Sequence, residues 1–345
     1  MTAESLFSLP ALLAGAIVVA LNLYLLLGGA DFGGGVWDLL ASGPRRERQR
    51  ALVADAIAPI WEANHVWLIL VIVLLFTGFP AAFARLMTVL HIPMTLMLFG
   101  IVLRGSAFTF RSYDSRRDSV QRRWGRIFAI ASTVTPVLLG MIIGAVASGT
   151  VGEPPAGGAP FIDVYVRPWL SPFTFGIGLL ALALFAFLAG VYLTVEAPDE
   201  ALREDFRARA LAAGVAVFVI ALVDLALAGA GAPRIWRALT TGTVALPLHL
   251  ATGIAAVIAL VALVRRRYHT ARVAAAAQVS LILWGWAAGQ FPFLVPPDLD
   301  IERAAAPRIT LELLAGALLM GLVVLVPSLR YLFRVFKGEE RAKLM

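Results

Sequence analysis

Cysteine is absent from this 345-residue chain, which excludes disulfides, thiolate-bound haem and cysteine-ligated iron–sulfur clusters within it. Lysine is nearly absent: only Lys337 and Lys343 occur, both in the C-terminal tail. Histidine is limited to four residues, so any haem or metal site would have to draw on them. Charge is scarce too, at 15% of residues against 60% hydrophobic, with a mean hydropathy of +0.85. That leaves far too little polar surface to cover a water-soluble globule of this length.

What remains is apolar run after apolar run. Stretches bounded by Gly, Pro or Arg clusters fall at 9–30, 51–77, 80–105, 124–148, 172–195, 205–230, 245–265, 271–290 and 310–334, each close to the roughly 20 residues a spanning helix needs. The expectation is an all-α polytopic membrane protein of about nine transmembrane helices, with residues 1–345 forming a single transmembrane domain. Two four-helix bundles, spans 1–4 and 6–9, around a peripheral fifth span would fit the count. The start, Met1 to Ser5, has no basic segment, so the first run is expected to remain as span 1 rather than be cleaved.

A net charge of +7 and a pI near 10.3 suggest nucleic acid only until the charges are placed. Four Arg lie at 45–50, seven from Arg104 to Arg126, three from Arg203 to Arg209, four from Arg265 to Arg272, and three Arg with two Lys from Arg330 onward. Thus 23 of the 29 basic residues fall on alternate connections, leaving Arg85, Arg167, Arg234, Arg237, Arg303 and Arg308 for the other side. Positive charge concentrates on the cytoplasmic face. The expected topology has the N-terminus outside and the C-terminus in the cytoplasm of a bacterial cell membrane, with no nucleic-acid partner.

Span 2 is unusually polar, running Asp55-Ala-Ile-Ala-Pro-Ile-Trp-Glu-Ala-Asn-His-Val-Trp67. As one helix from Ala51, it would carry Glu62 about 16 Å inward, near mid-bilayer, where a charge is expensive. Asp55, Pro59, Glu62 and His65 would share one face, and Pro59 would free the carbonyl of Asp55. Two readings stand: a proton-conducting line from the cytoplasm through Asp55, Glu62 and His65, or a neutral Glu62 hydrogen-bonded within the bundle.

Span 1 ends in Gly28-Gly-Ala-Asp-Phe-Gly-Gly-Gly-Val-Trp-Asp38, a density that permits close backbone approach or a helix break. It is no dinucleotide fingerprint, since no strand precedes it. Asp31 and Arg104 are expected near the inner ends of spans 1 and 3, as a structural ion pair or as a proton entry. Asn64 adds a polar neighbour. Counting from the turn at Thr77-Gly-Phe-Pro80 puts His65 and His91 at similar depth, so they form either a bis-histidine haem pair or ordinary hydrogen-bonded core residues. His249 and His269 improve neither reading, and Asp224 and Glu312, towards the outer ends of their spans, receive no role. Trp61, Trp67, Trp284 and Trp286 read first as packing or interfacial-belt residues.

Four segments resemble one known family. They are Gly-Ala-Asp-Phe-Gly-Gly-Gly at 29–35, Ile-Ala-Pro-Ile-Trp-Glu-Ala-Asn-His-Val-Trp-Leu at 57–68, Leu-Arg-Gly-Ser-Ala-Phe-Thr-Phe-Arg at 103–111 and Gly-Trp-Ala-Ala-Gly-Gln-Phe-Pro-Phe-Leu-Val-Pro-Pro-Asp-Leu at 285–299. In order and content they are similar to subunit II of the cytochrome bd quinol oxidases, along essentially the whole chain. The resemblance implies a haem-free supporting subunit, paired with a larger, similarly folded subunit I that carries haems b and d and oxidises the quinol. It further implies Glu62 as proton carrier, Trp67 at an apolar dioxygen route, and structural importance for Asp31 and Arg104; membrane lipids are expected around the chain, and whether a small accessory subunit joins it stays open. Some members have Asp-Gly where this chain has Glu62-Ala63, which changes the side chain's reach. The family's quinol-oxidising loop belongs to subunit I and has no counterpart here.

The alternative is a proton-coupled secondary transporter, which commonly sets two interrupted helices from related repeats around a midplane site; here only span 2 has a marked polar break. An antiporter-like proton-pumping subunit would be expected to carry lysines within its spans. A purely structural scaffold is the third possibility.

Overall fold

The computed structural model describes residues 7–57, 61–113, 118–153 and 158–342. Its elements, in chain order, are α1 (Leu9–Leu39), α2 (Arg46–Ile57), α3 (Trp61–Gly78), α4 (Pro80–Val89), α5 (His91–Tyr113), α6 (Asp118–Ser148), α7 (Phe161–Tyr165), α8 (Pro172–Glu196), α9 (Glu200–Gly231), α10 (Pro233–Thr241), α11 (Ala245–Val264), α12 (Tyr268–Gln290), β1 (Phe293–Val295), β2 (Leu299–Asp300), α13 (Ile301–Ala304) and α14 (Arg308–Ala342). Among the described residues, eight helices are long and apolar enough to cross a membrane, and nine spans result if α2 and α3 are counted together. The all-α expectation holds apart from the two-stranded antiparallel ribbon β1–β2, in the proline-rich segment after α12.

Local signals start the helices where they begin. The Ser8 hydroxyl accepts from the Ala11 amide before α1, and Ser171 and Thr174 form a reciprocal capping box at α8. Asp199 accepts from the Leu202 amide at the start of α9, allowing α8 and α9 to follow each other after three residues.

Three expectations about the spans need correcting. Span 2 is not one straight helix: α2 and α3 are inclined by 54°, and Pro59 lies outside the described residues between them. Span 3 does not run from residue 80, because α4 ends at Val89 and the spanning segment begins afresh at His91. The fifth span is central rather than peripheral. In α8, 61% of the spanning window is buried, as in α6, whereas for the last helix, α14, the share is 6%. Apolar side chains all around a helix bury it, and α8 contributes Phe185, Phe187, Leu188 and Val191 to the main core.

The glycine run in α1 makes this centre possible. α1 continues unbroken through it, so the residues serve close approach rather than a break. A Cβ at Gly33 would stand 1.9 Å from the Phe185 carbonyl oxygen, so no other residue admits this crossing of α1 over α8. The Trp37 indole N–H donates to the Ala186 carbonyl at 2.8 Å and fixes the same joint.

On the arginine-rich side, polar contacts tie α2 to α9. Arg45 makes a two-pronged pair with Asp205 at 2.8 and 2.5 Å, Gln49 donates to the same carboxylate at 2.8 Å, and Arg209 donates to Gln49 at 2.7 Å. Arg48 pairs with Asp199.

Candidate functional site

Helices α1, α3 and α5 bring together four polar residues in the core. Asp31, Asn64 and Arg104 are buried, at 4%, 1% and 2% exposure. Asn64 donates from its amide to Asp31 Oδ2 at 2.8 Å. Arg104 Nη1 lies 3.4 Å from His65 Nε2, with the guanidinium donating. Its planar group stacks 4.6 Å from the Phe32 ring centre and 5.5 Å from that of Phe128, using cation–π attraction in place of water. Arg104 Nε is buried with no hydrogen-bond partner among the described residues. The His65 ring packs 5.9 Å from Tyr24 and 6.1 Å from Phe32.

The predicted Asp31–Arg104 neighbourhood is therefore present, and it is a four-residue cluster rather than a simple pair. Asn64 and His65, consecutive on α3, each hold one member of it. Asp31 also lines a cavity of about 100 Å³ between α1, α2 and α8, whose walls include Val53, Ile57, Tyr192, Glu196 and Arg272. Its walls are mostly apolar, with Asp31, Tyr192, Glu196 and Arg272 as the polar groups. Asp31 thus joins the cluster to that space.

Glu62 stands elsewhere. It occupies the first turn of α3 and is exposed on this chain, so it is neither buried by the chain itself nor part of the cluster. It heads an outward face of α3 that is otherwise apolar, with Val66, Ile69, Val73 and Phe76 all 40% or more exposed. Asp55 is exposed on α2. Because the α2 and α3 axes diverge, the single polar face drawn through Asp55, Glu62 and His65 does not exist as a straight stripe. Trp67 is buried in the main core at 6% exposure.

The His65–His91 pairing is contradicted. His65 meets Arg104, whereas His91, at the start of α5, donates to the Thr88 carbonyl and packs on Tyr165. Arg104 is 13 residues beyond His91 on α5, about 20 Å of helix. The error arose from treating residues 80–105 as one helix. Among the described residues no group of three or more His, Cys, Asp or Glu converges.

Sequence reasoning missed Tyr24, Phe32 and Phe128 as the walls of the cluster. Tyr24 was detectable, since it falls at i−7 from Asp31 and so on the same face of α1; Phe128 had no local signal.

Comparison with known proteins agrees with this architecture. The sequence model described as cytochrome bd terminal oxidase subunit II matches residues 9–336. The chain is similar to subunit 2 of the cytochrome bd-I ubiquinol oxidase of Escherichia coli K12, with 29% identity over 54% of this chain and 47% of that one. It therefore spans about half the length of the first relatives it matches. A putative cytochrome bd menaquinol oxidase subunit II of Bacillus subtilis is 21% identical over 92% of this chain and 93% of its own. A chain in the structure of the bd oxidase from Geobacillus thermodenitrificans superposes with a TM-score of 0.80 at 22% identity, over 95% of this chain and 98% of that one. That likeness establishes the fold.

Proposed function

Because the chain belongs to the cytochrome bd terminal oxidase subunit II family, we propose that it is the haem-free supporting subunit of a membrane quinol:dioxygen oxidoreductase. A larger subunit I carries haems b and d, oxidises the quinol and reduces dioxygen to water. This chain supplies an interface and a proton route from the cytoplasm, with its N-terminus outside and its C-terminus inside. Membrane lipids and a small accessory subunit complete the surroundings.

The observation that carries this reading is the position of Glu62 at the head of the apolar outward face of α3. A carboxylate beside such a face is costly against lipid and rewarding where a second protein covers it and offers a proton acceptor. Glu62 takes protons arriving past Asp55 and passes them across the interface. Asn64 and His65, on the inner side of the same turns, tie α3 to Asp31 and Arg104 and so hold Glu62 in place; His65 is the internal end of this route. Trp67, one helical turn beyond Ala63, sits at the dioxygen route. Among the described residues only the α2–α3 pair forms a sharply bent span, whereas the transporter alternative calls for a second interrupted helix opposite the first.

Purification of the complex tests the assignment. Quinol-dependent oxygen consumption is expected of the complex, with every haem remaining on the partner when the subunits are separated. A stoichiometric haem on this chain would overturn it.

A further inference from the structure

Asp224 lies on α9, seven residues short of its end at Gly231 and so about 10 Å of helix from it, remote from Asp31 and from Glu62. The residue is 4% exposed, and both carboxylate oxygens are buried with no hydrogen-bond partner among the described residues. Its side chain presses against the bare backbone of Gly176 on α8, where a Cβ would stand 2.0 Å from Asp224 Oδ1. Gly176 thus makes the room that the carboxyl occupies.

The surroundings offer no compensation. Residues 172–184 of α8, 127–148 of α6 and 210–231 of α9 contain no titratable side chain except Asp224 itself. The nearest such groups on the other packed elements are Arg234 and Arg237 on α10 and His249 on α11. Arg234 donates to the Phe291 carbonyl, Arg237 to the Pro233 carbonyl and His249 to the Ala245 carbonyl. None of them is hydrogen-bonded to Asp224. An ionised carboxylate with neither donor nor counter-charge is strongly disfavoured inside a helix pair, and a structural hydrogen bond needs a partner that is missing here.

We propose that Asp224 is a separate proton-binding site of this chain, a carboxyl that keeps its proton inside the joint between α8 and α9. Exchange there is a proton transfer and nothing more: the carboxyl O–H bond breaks, the proton passes to water, and the carboxylate left behind persists only while water enters the joint. The site lies on the membrane face away from the arginine-rich loops and does not depend on the Glu62 route.

Infrared difference spectroscopy of the whole complex at neutral pH, wild type minus Asp224→Asn, tests this. The expected result is one protonated-carboxyl C=O band, shifted by exchange into heavy water, that the variant lacks, with carboxylate bands unchanged. A variant that loses carboxylate intensity and leaves the protonated-carboxyl region untouched overturns the proposal. Asp224→Glu keeps the acid and moves the band rather than deleting it, so it decides the question even if the Asn variant does not assemble. Turnover is not the readout, so the result is independent of whether Glu62 carries protons.

Discussion

Asp31 and Glu62 are both acids in apolar helices, yet the fold treats them oppositely. Asp31 is enclosed by this chain alone, hydrogen-bonded by Asn64 and placed beside a water-sized cavity, within a cluster completed by His65 and Arg104. Glu62 points away from the bundle at the head of an apolar face. The contrast separates two kinds of polar residue in a membrane subunit. Those around Asp31 fix the positions of α1, α3 and α5; the environment of Glu62 is finished by whatever covers α3.

Substitutions can break or sharpen that contrast. The largest effect is expected at the joint supporting the inner cluster: Gly33→Leu drives a side chain into the Phe185 carbonyl and should leave no assembled complex in membranes, read by co-purification with the partner. Arg104→Leu comes next. It removes the bond to His65 and the stacking on Phe32 and Phe128, and should cost about 2–3 kcal/mol in the stability of the complex. Glu62→Leu, at an exposed position, should change the stability of this chain by no more than about 0.5 kcal/mol. Equal losses for the two in thermal unfolding would erase the distinction.

Asp205→Asn weakens the contacts of Arg45 and Gln49 that hold α2 to α9. With Arg45 40% exposed, the expected loss is about 0.5–1 kcal/mol, smaller still at high salt. A salt-independent loss would argue for packing instead. The smallest effect belongs to Asp199. The Leu202 backbone amide and then Arg48 hold its carboxyl below the usual carboxylate range. Stability from that depressed value is present above the ordinary aspartate pKa and is lost as the pH falls through the folded value. Asp199→Asn should therefore flatten the acid limb of a thermal-stability profile slightly and leave the neutral region nearly unchanged.

Much of this was legible in the sequence, because spanning length and arginine placement depend on the local run of residues. The eight apolar spans, or nine with α2 and α3 joined, among the described residues and the shared neighbourhood of Asp31 and Arg104 follow from such signals. The breaks were harder. Val89 and Leu90 carry no glycine or proline, and the local mark of the new start is Pro93 in the first turn of α5; reading residues 80–105 as one apolar run hid it and misplaced His91. Pro59 did mark a departure, but a proline reports a lost hydrogen bond without stating the angle that follows. Outward and inward faces were least legible: a helix as apolar as α8 gives no stripe to orient it. The central place of α8 follows from Gly33 and Gly140 meeting it across the bundle, a tertiary fact.

Glu62 is the proposed carrier of protons for a reaction conducted in the partner subunit. Quinol-driven oxygen consumption and charge separation, measured on Glu62→Gln complex reconstituted in vesicles, test it most directly. The prediction is turnover reduced about tenfold or more, as expected for loss of a positioned proton-transfer group, in a complex whose assembly and haem spectrum match the wild type. Wild-type turnover and charge separation in that variant would contradict it.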